Sequence, residues 1–156
     1  MSKIAQRQIV ASISASDDDN VETPPNPGKD GTLAYFAQVT GGEITASVEK
    51  IYIGGKLFPE VLCAPAEIGD ITLTRHYDAD VDGDFLGKVR QLVGRAYYDV
   101  QIDELNCNVA TPELQRNYPQ ALLVGLTEPD GDAASGAPST YSLTFSIQTV
   151  TTEVLT

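Results

Sequence analysis

Tryptophan is absent from this 156-residue chain, and histidine and methionine occur once each. With His76 alone, any His-dependent catalysis would have to run through one imidazole, and no Ser or Cys nucleophile motif stands beside it. Bases are scarce: 10 Lys and Arg against 22 Asp and Glu leave a net charge of −12. That excludes an outer surface that grips phosphates, which needs patches of Lys and Arg. It does not exclude a wall that nucleic acid slides past. Only two cysteines are present, Cys63 and Cys107, too few for a disulfide framework and without zinc spacing. They read as buried, reduced thiols, with Cys107 in phase with Leu105 and Val109. No apolar run approaches the length of a membrane span, and MSKIAQRQIV lacks the apolar stretch of a secretory leader. Neither membrane insertion nor a leader is expected.

What the chain does have is enough apolar residue for a real core, 42%, in a length that suits one domain. Residues 1–156 are read as that single domain, with a long polar loop or arm at about 17–33. Most of the chain alternates with a period of two, the signature of half-buried strands. Residues 8–16 place Ile9, Ala11, Ile13 and Ala15 opposite a row of serines. Residues 34–40 and 43–53 read as a hairpin about Gly41-Gly42. Residues 56–69, broken by Pro59 and Pro65, read as irregular. Strands follow at 70–77, 96–108, 119–127 and 140–152, with a bulge expected at Asp103-Glu104 and a Gly- and Pro-rich loop at 128–139. One helix is predicted over about 82–93, capped by Asp80 or Asp82 and closed by Gly94, with Phe85, Leu86, Val89, Leu92 and Val93 as its apolar stripe. The fold class is mainly β: a sandwich or barrel with one flanking helix.

The motifs that would carry chemistry fall short. Asp78-x-Asp80-x-Asp82-Gly83-Asp84 copies the start of a calcium-binding EF-hand loop, but the twelfth position is Val89 where a bidentate Glu is needed. The acids read better as a turn that caps the helix; Asp78, Asp80 and Asp82 stay as weak metal candidates. Gly54-Gly55-Lys56-Leu57 lacks the Ser or Thr of a phosphate loop. No cofactor is implied and no enzyme is expected. The polar strand faces are more informative. Glu43, Thr45, Ser47 and Glu49 form one such face, and Asp99, Gln101 and Asp103 another, with no base among them. Such a face suits solvent, or the lining of a channel.

The order of elements carries a resemblance. EIGDITLTRHYDADVDGDFLGKVRQL sets a strand, an acidic turn and a Phe-bearing helix in succession, and ALLVGLTEPDGD…STYSLTFSIQTV closes the chain as a hairpin. Over roughly residues 35–150 this resembles the major tail tube proteins of long-tailed bacteriophages. More distantly it is similar to the tube proteins of contractile tails and type VI secretion systems. The resemblance implies a tail-tube-like fold that assembles into hexameric rings, stacked as a hollow tube in the virion tail and put together in the host cytoplasm. It implies as partners a tape measure protein, a tail terminator, and baseplate or tail-tip proteins. DNA would pass during ejection without sequence-specific binding. Under it, Glu43, Thr45, Ser47, Glu49, Asp99, Gln101 and Asp103 are candidates for the lumen. Asp17, Asp18, Asp19, Pro24, Pro25 and Lys29 would belong to an arm that bridges subunits. The alternative is a monomeric β-sandwich that binds calcium or carbohydrate through the acidic 78–84 turn.

Overall fold

The computed structural model describes residues 9–15, 25, 35–105, 112–131, 133–134 and 136–154. Its centre is one wrapped antiparallel sheet. β1 (Ile9–Ala15) lies beside β9 (Tyr97–Leu105), and β9 lies beside β10 (Pro112–Thr127). β10 then pairs with β11 (Thr140–Ser146), β11 with β8 (Ile71–His76), and β8 with β3 (Gln38–Gly41). The path starts at β2 (Tyr35–Phe36), paired to β1, and ends at β3. β2 and β3 are one stretch of chain bent at Ala37, so a single segment changes partner and closes the wall at a corner.

Alternation decides what this wall encloses. Ala11 and Ile13 of β1, Ile71 and Leu73 of β8, and Tyr98, Val100 and Ile102 of β9 all point inward. Leu123 of β10 and Tyr141, Leu143 and Phe145 of β11 complete the core with Phe36. Its aromatic rings meet edge to face, Phe36 with Tyr141 and Tyr98 with Phe145, the arrangement ring quadrupoles favour. On the outside of the β8–β11 pair, Thr72 faces Thr144 and Thr74 faces Ser142, with hydroxyls 3.3 and 2.8 Å apart.

Helix α1 (Ala79–Val89) packs Phe85, Leu86 and Val89 into the core, and Leu92 and Val93 beyond its end rest against it. The predicted stripe is correct; the predicted bounds are about one turn late. Asp78, not Asp80 or Asp82, is the cap, its Oδ1 accepting from the Asp80 N–H at 3.0 Å. After Arg90 the chain turns through Gly94 at φ +82 and hands its N–H to the Leu123 carbonyl.

Three other expectations are corrected. Residues 34–40 and 43–53 do not pair with each other. β4 (Ile44–Ala46) pairs with β7 (Ala66–Ile68), and β5 (Lys50–Ile51) with β6 (Glu60–Val61). The stretch at 56–69 is thus the returning side of a two-stranded arm. Gly41-Gly42 is the bend at its root. A Cβ at Gly41 would lie 2.0 Å from the Asp70 carbonyl oxygen, and its φ is +92, so glycine is required there. Next, β9 runs against β1 without interruption through Glu104; the extra residue opposite Glu104 and Leu105 belongs to β10. Finally, 140–152 is two strands. β11 ends at Ser146, and β12 (Thr151–Val154) returns to pair with the first half of β10.

Candidate functional site: a polar sheet face and a projecting arm

On β9 the residues opposite the core are Asp99, Gln101 and Asp103, and the structure brings these three together as the alternation predicts. They face outward beside Ser12 and Ser14 of β1 and Gln115 and Asn117 of β10. Asp103 is nearly buried by its neighbours yet satisfied: its carboxylate accepts from Gln101 Nε2 at 3.1 Å and from Gln115 Nε2 at 3.0 Å. Asn117 Nδ2 donates to Gln115 Oε1 at 3.5 Å, a long bond that extends the row of amides. Asp99 Oδ1 accepts from the Gln120 N–H at 3.0 Å, where Gln120 takes φ 50 in a register shift of β10. A shallow depression of about 310 Å³ lies on this face, bounded among others by Ser12, Ser14, Asp99, Gln101, Asn117 and Thr151.

Two properties of the face stand out. It carries no base: the one Arg or Lys in β1, β9, β10 and β12 is Arg116, which sits opposite Ile102 on the core side. One of its edges is also open among the described residues. Among the described residues β12 has no partner beyond β10, whereas β1 is flanked by β2 at Ala11 and Ser12. An unpaired edge of this kind invites strand addition from another chain.

The other lumen candidates lie elsewhere. Glu43, Thr45, Ser47 and Glu49 are on the arm, off the main sheet, and Ile44, Ala46 and Val48 between them are exposed too. There is no buried side for them to be opposite to. The arm runs out from the Gly41-Gly42 bend and back to Gly69. Backbone bonds from Gly69 N–H to the Glu43 carbonyl and from Leu62 N–H to the Glu49 carbonyl, both 2.8 Å, hold its two sides together. Tyr52, Leu57 and Phe58 near its tip are 78%, 88% and 77% exposed. Cys63 is exposed on the same arm, which corrects the expectation of a buried thiol.

The acidic turn serves the helix. Asp82 is fully buried: its Oδ2 lies 3.4 Å from Arg75 Nε and accepts from the Asp78 N–H at 3.2 Å, and its Oδ1 accepts from the Tyr141 hydroxyl at 3.2 Å. Both oxygens are engaged, and Arg75 also stands over the Phe36 ring. Burial first, then the Asp82 charge, pushes the Tyr141 hydroxyl well above the usual range for tyrosine. Asp78, Asp80 and Asp82 therefore do not converge on a common point, and no group of three or more metal-ligating side chains is found among the described residues. His76 is exposed at the end of β8.

Of the 17–33 arm candidates, Asp17, Asp18, Asp19, Pro24 and Lys29 lie outside the described residues, as does Cys107. Pro25 is described: its carbonyl accepts from the Tyr98 hydroxyl at 2.7 Å.

No protein-family model matches this chain, and no curated protein matches it by sequence. Solved structures do match. A chain of the anti-feeding prophage (AFP) baseplate superposes with a TM-score of 0.74 at 19% identity, over 99% of this chain and 97% of that one. A chain of the PVC sheath–tube complex, from an extracellular contractile injection system in its extended state, gives 0.68 at 17% identity, over 98% and 93%. Hcp1 from Flavobacterium johnsoniae gives 0.56 at 11% identity, over 92% and 94%. At these identities the likeness is one of fold. It covers nearly the whole chain.

Proposed function

We propose that this chain is the structural subunit of a hollow tube. Six copies close into a ring, side by side, with the open edge of β12 meeting its neighbour, and rings stack along an axis. The observation that carries this is the base-free polar face of β1, β9, β10 and β12, which ends at β12 in an edge unpaired among the described residues. Covering that edge with the neighbouring copy removes its aggregation hazard and extends the wall around the ring. The polar face then becomes the inner wall, with Asp99, Gln101 and Asp103 on it. A carboxylate and amide wall without Lys or Arg repels phosphates over a Debye length of about 8 Å at physiological salt. DNA passing such a wall is neither held nor stalled.

The finer assignment belongs to the same proposal. It comprises a virion tail assembled in the host cytoplasm, DNA ejected through the lumen, and a tape measure protein inside. A terminator would close one end and a baseplate or tail tip the other. Its support is the company the fold keeps, chains from a baseplate, a tube-terminating cap and a sheath–tube complex. A helical reconstruction of the purified, assembled protein tests it. Hollow tubes of stacked six-fold rings with Asp99, Gln101 and Asp103 in the lumen are expected. A basic lumen, or these three residues on the outside, would overturn the wall; a protein that stays monomeric at high concentration would overturn the tube.

A further inference from the structure

Two arginines point to the core side of the wall, and only one of them meets an acid. Arg75 of β8 has the buried Asp82 carboxylate 3.4 Å from its Nε. Arg116 of β10 lies opposite Ile102 of β9 on one side and Thr152 of β12 on the other. It is half-buried, and its Nε is enclosed without an acceptor. Among the described residues its guanidinium makes no ion pair. Glu104, on the same side of the sheet, is opposite Leu114, two residues along β10, and does not pair with it. A buried donor without an acceptor destabilises the free chain, and an apolar side chain of similar length would serve the monomer better. The use of this guanidinium therefore lies outside the monomer.

We propose, resting on the tube assignment, that Arg116 receives a carboxylate of the neighbouring copy in the same ring, across the β12 edge, and is the charged anchor of that interface. Position picks the site. β12 is the one strand between this part of β10 and the open edge, and Thr152 stands beside Arg116 in register. At the usual strand spacing, a copy that covers the edge lies about 10 Å from β10, a gap that an arginine and an acidic side chain together can bridge. Order favours the contact. The enclosed Nε holds the stem in place, so pairing costs little of the side-chain freedom that weakens most surface ion pairs. The terminal nitrogens are not among the enclosed atoms and stay open to an incoming carboxylate. Composition picks the chemistry. With 22 acids against 10 bases, a second copy is a partner rich in carboxylates.

The test compares Arg116→Met and Arg116→Lys with the parent. In dilute, unassembled Arg116→Met the thermal midpoint should hold or rise, because an unanswered buried donor is gone. The protein concentration needed for rings, read by sedimentation, should rise by on the order of tenfold or more. Its dependence on added salt should also flatten, since one attraction that salt screens has been removed. Arg116→Lys keeps the charge and reports the partner. Carbodiimide treatment of tubes mixed from isotope-labelled and unlabelled chains should join position 116 to an Asp or Glu of another copy, seen as a mixed-isotope peptide. If Arg116→Met lowers the midpoint, that crosslink decides alone. Rings of Arg116→Met at the parental concentration, a crosslink to Glu104 of the same chain, or no crosslink between copies would overturn the anchor and leave the tube standing. A parent that forms neither rings nor tubes would overturn the tube assignment itself, and the anchor with it.

Discussion

β9 and the arm are both built of alternating or near-alternating apolar residues, and they meet opposite fates. In β9, Tyr98, Val100 and Ile102 are buried and the residues between them form a hydrogen-bonded polar face. In the arm, Ile44 and Ala46 alternate as cleanly and remain exposed. Periodicity of two reports a strand with one face that prefers to leave water. It does not report whether the surface that face seeks belongs to the same chain. β9 finds it in β1, β8, β10 and β11 folded around it; the arm, held out by Gly41-Gly42, rests Ile68 at its root against the core and leaves the apolar side chains toward its tip exposed.

The sharpest way to break this contrast is to remove one phenylalanine from each region. Phe145 is fully buried between Tyr98 and Ile71, and Phe145→Ala should lower the unfolding free energy by about 3–5 kcal/mol through lost burial and a residual cavity. Phe58→Ala should stay within about 0.5 kcal/mol. Urea titration at a concentration where the protein is not assembled measures both. If Phe58→Ala cost more than about 1 kcal/mol there, the arm would be packed in the monomer and the contrast would fail.

The next effect sharpens what holds the body together. Asp82→Ala leaves Arg75, itself largely buried, facing an empty site, and should cost about 3 kcal/mol. Tyr141→Phe removes one hydrogen bond and should cost about 1 kcal/mol. Because the two share that bond, a double-mutant cycle should show coupling between them. Additivity would mean that the Tyr141–Asp82 bond contributes nothing to stability.

These residues also show where sequence was readable. The stripe Phe85, Leu86 and Val89, the inward faces of β1, β8, β9 and β11, and the polar Asp99-Gln101-Asp103 row all follow from local spacing. Local spacing is what the folded wall uses at those places. Three features depend on partners distant in the chain and were opaque for that reason. Asp82 sits in an acidic run where a capping role looks natural; only Tyr141, 59 residues on, and Arg75 from the neighbouring strand explain why it is buried. β11 and β12 read as one strand, because nothing local marks the change of half on the 16-residue β10. The arm read as hairpin plus irregular segment, since Gly41-Gly42 has the composition of a hairpin turn. The turn that closes the ribbon is Gly54-Gly55, with a bond from the Lys56 N–H to the Ile53 carbonyl at 3.1 Å.

A smaller change separates the capping role of the acidic turn from the calcium alternative. Asp78→Ala removes the N-cap and should cost about 1 kcal/mol. Added calcium should leave the thermal midpoint of both parent and variant unmoved. A calcium-dependent rise in the parent that disappears in the variant would revive the binding-module alternative, since a ligand that prefers the native state must raise stability.

The smallest effects return to the two regions through their surface ion pairs. Arg90 and Glu128 join the turn after the helix to the loop after β10, and Lys56 and Glu60 lie four residues apart on the arm at 3.1 Å. Both pairs are about half exposed, so screening and side-chain entropy leave each worth no more than about 0.5 kcal/mol to the monomer. Arg90→Ala and Lys56→Ala should therefore be alike in thermal midpoint. Urea titration of the two variants checks this, and a loss above about 1 kcal/mol from either would mean that its pair is held more rigidly than its exposure allows.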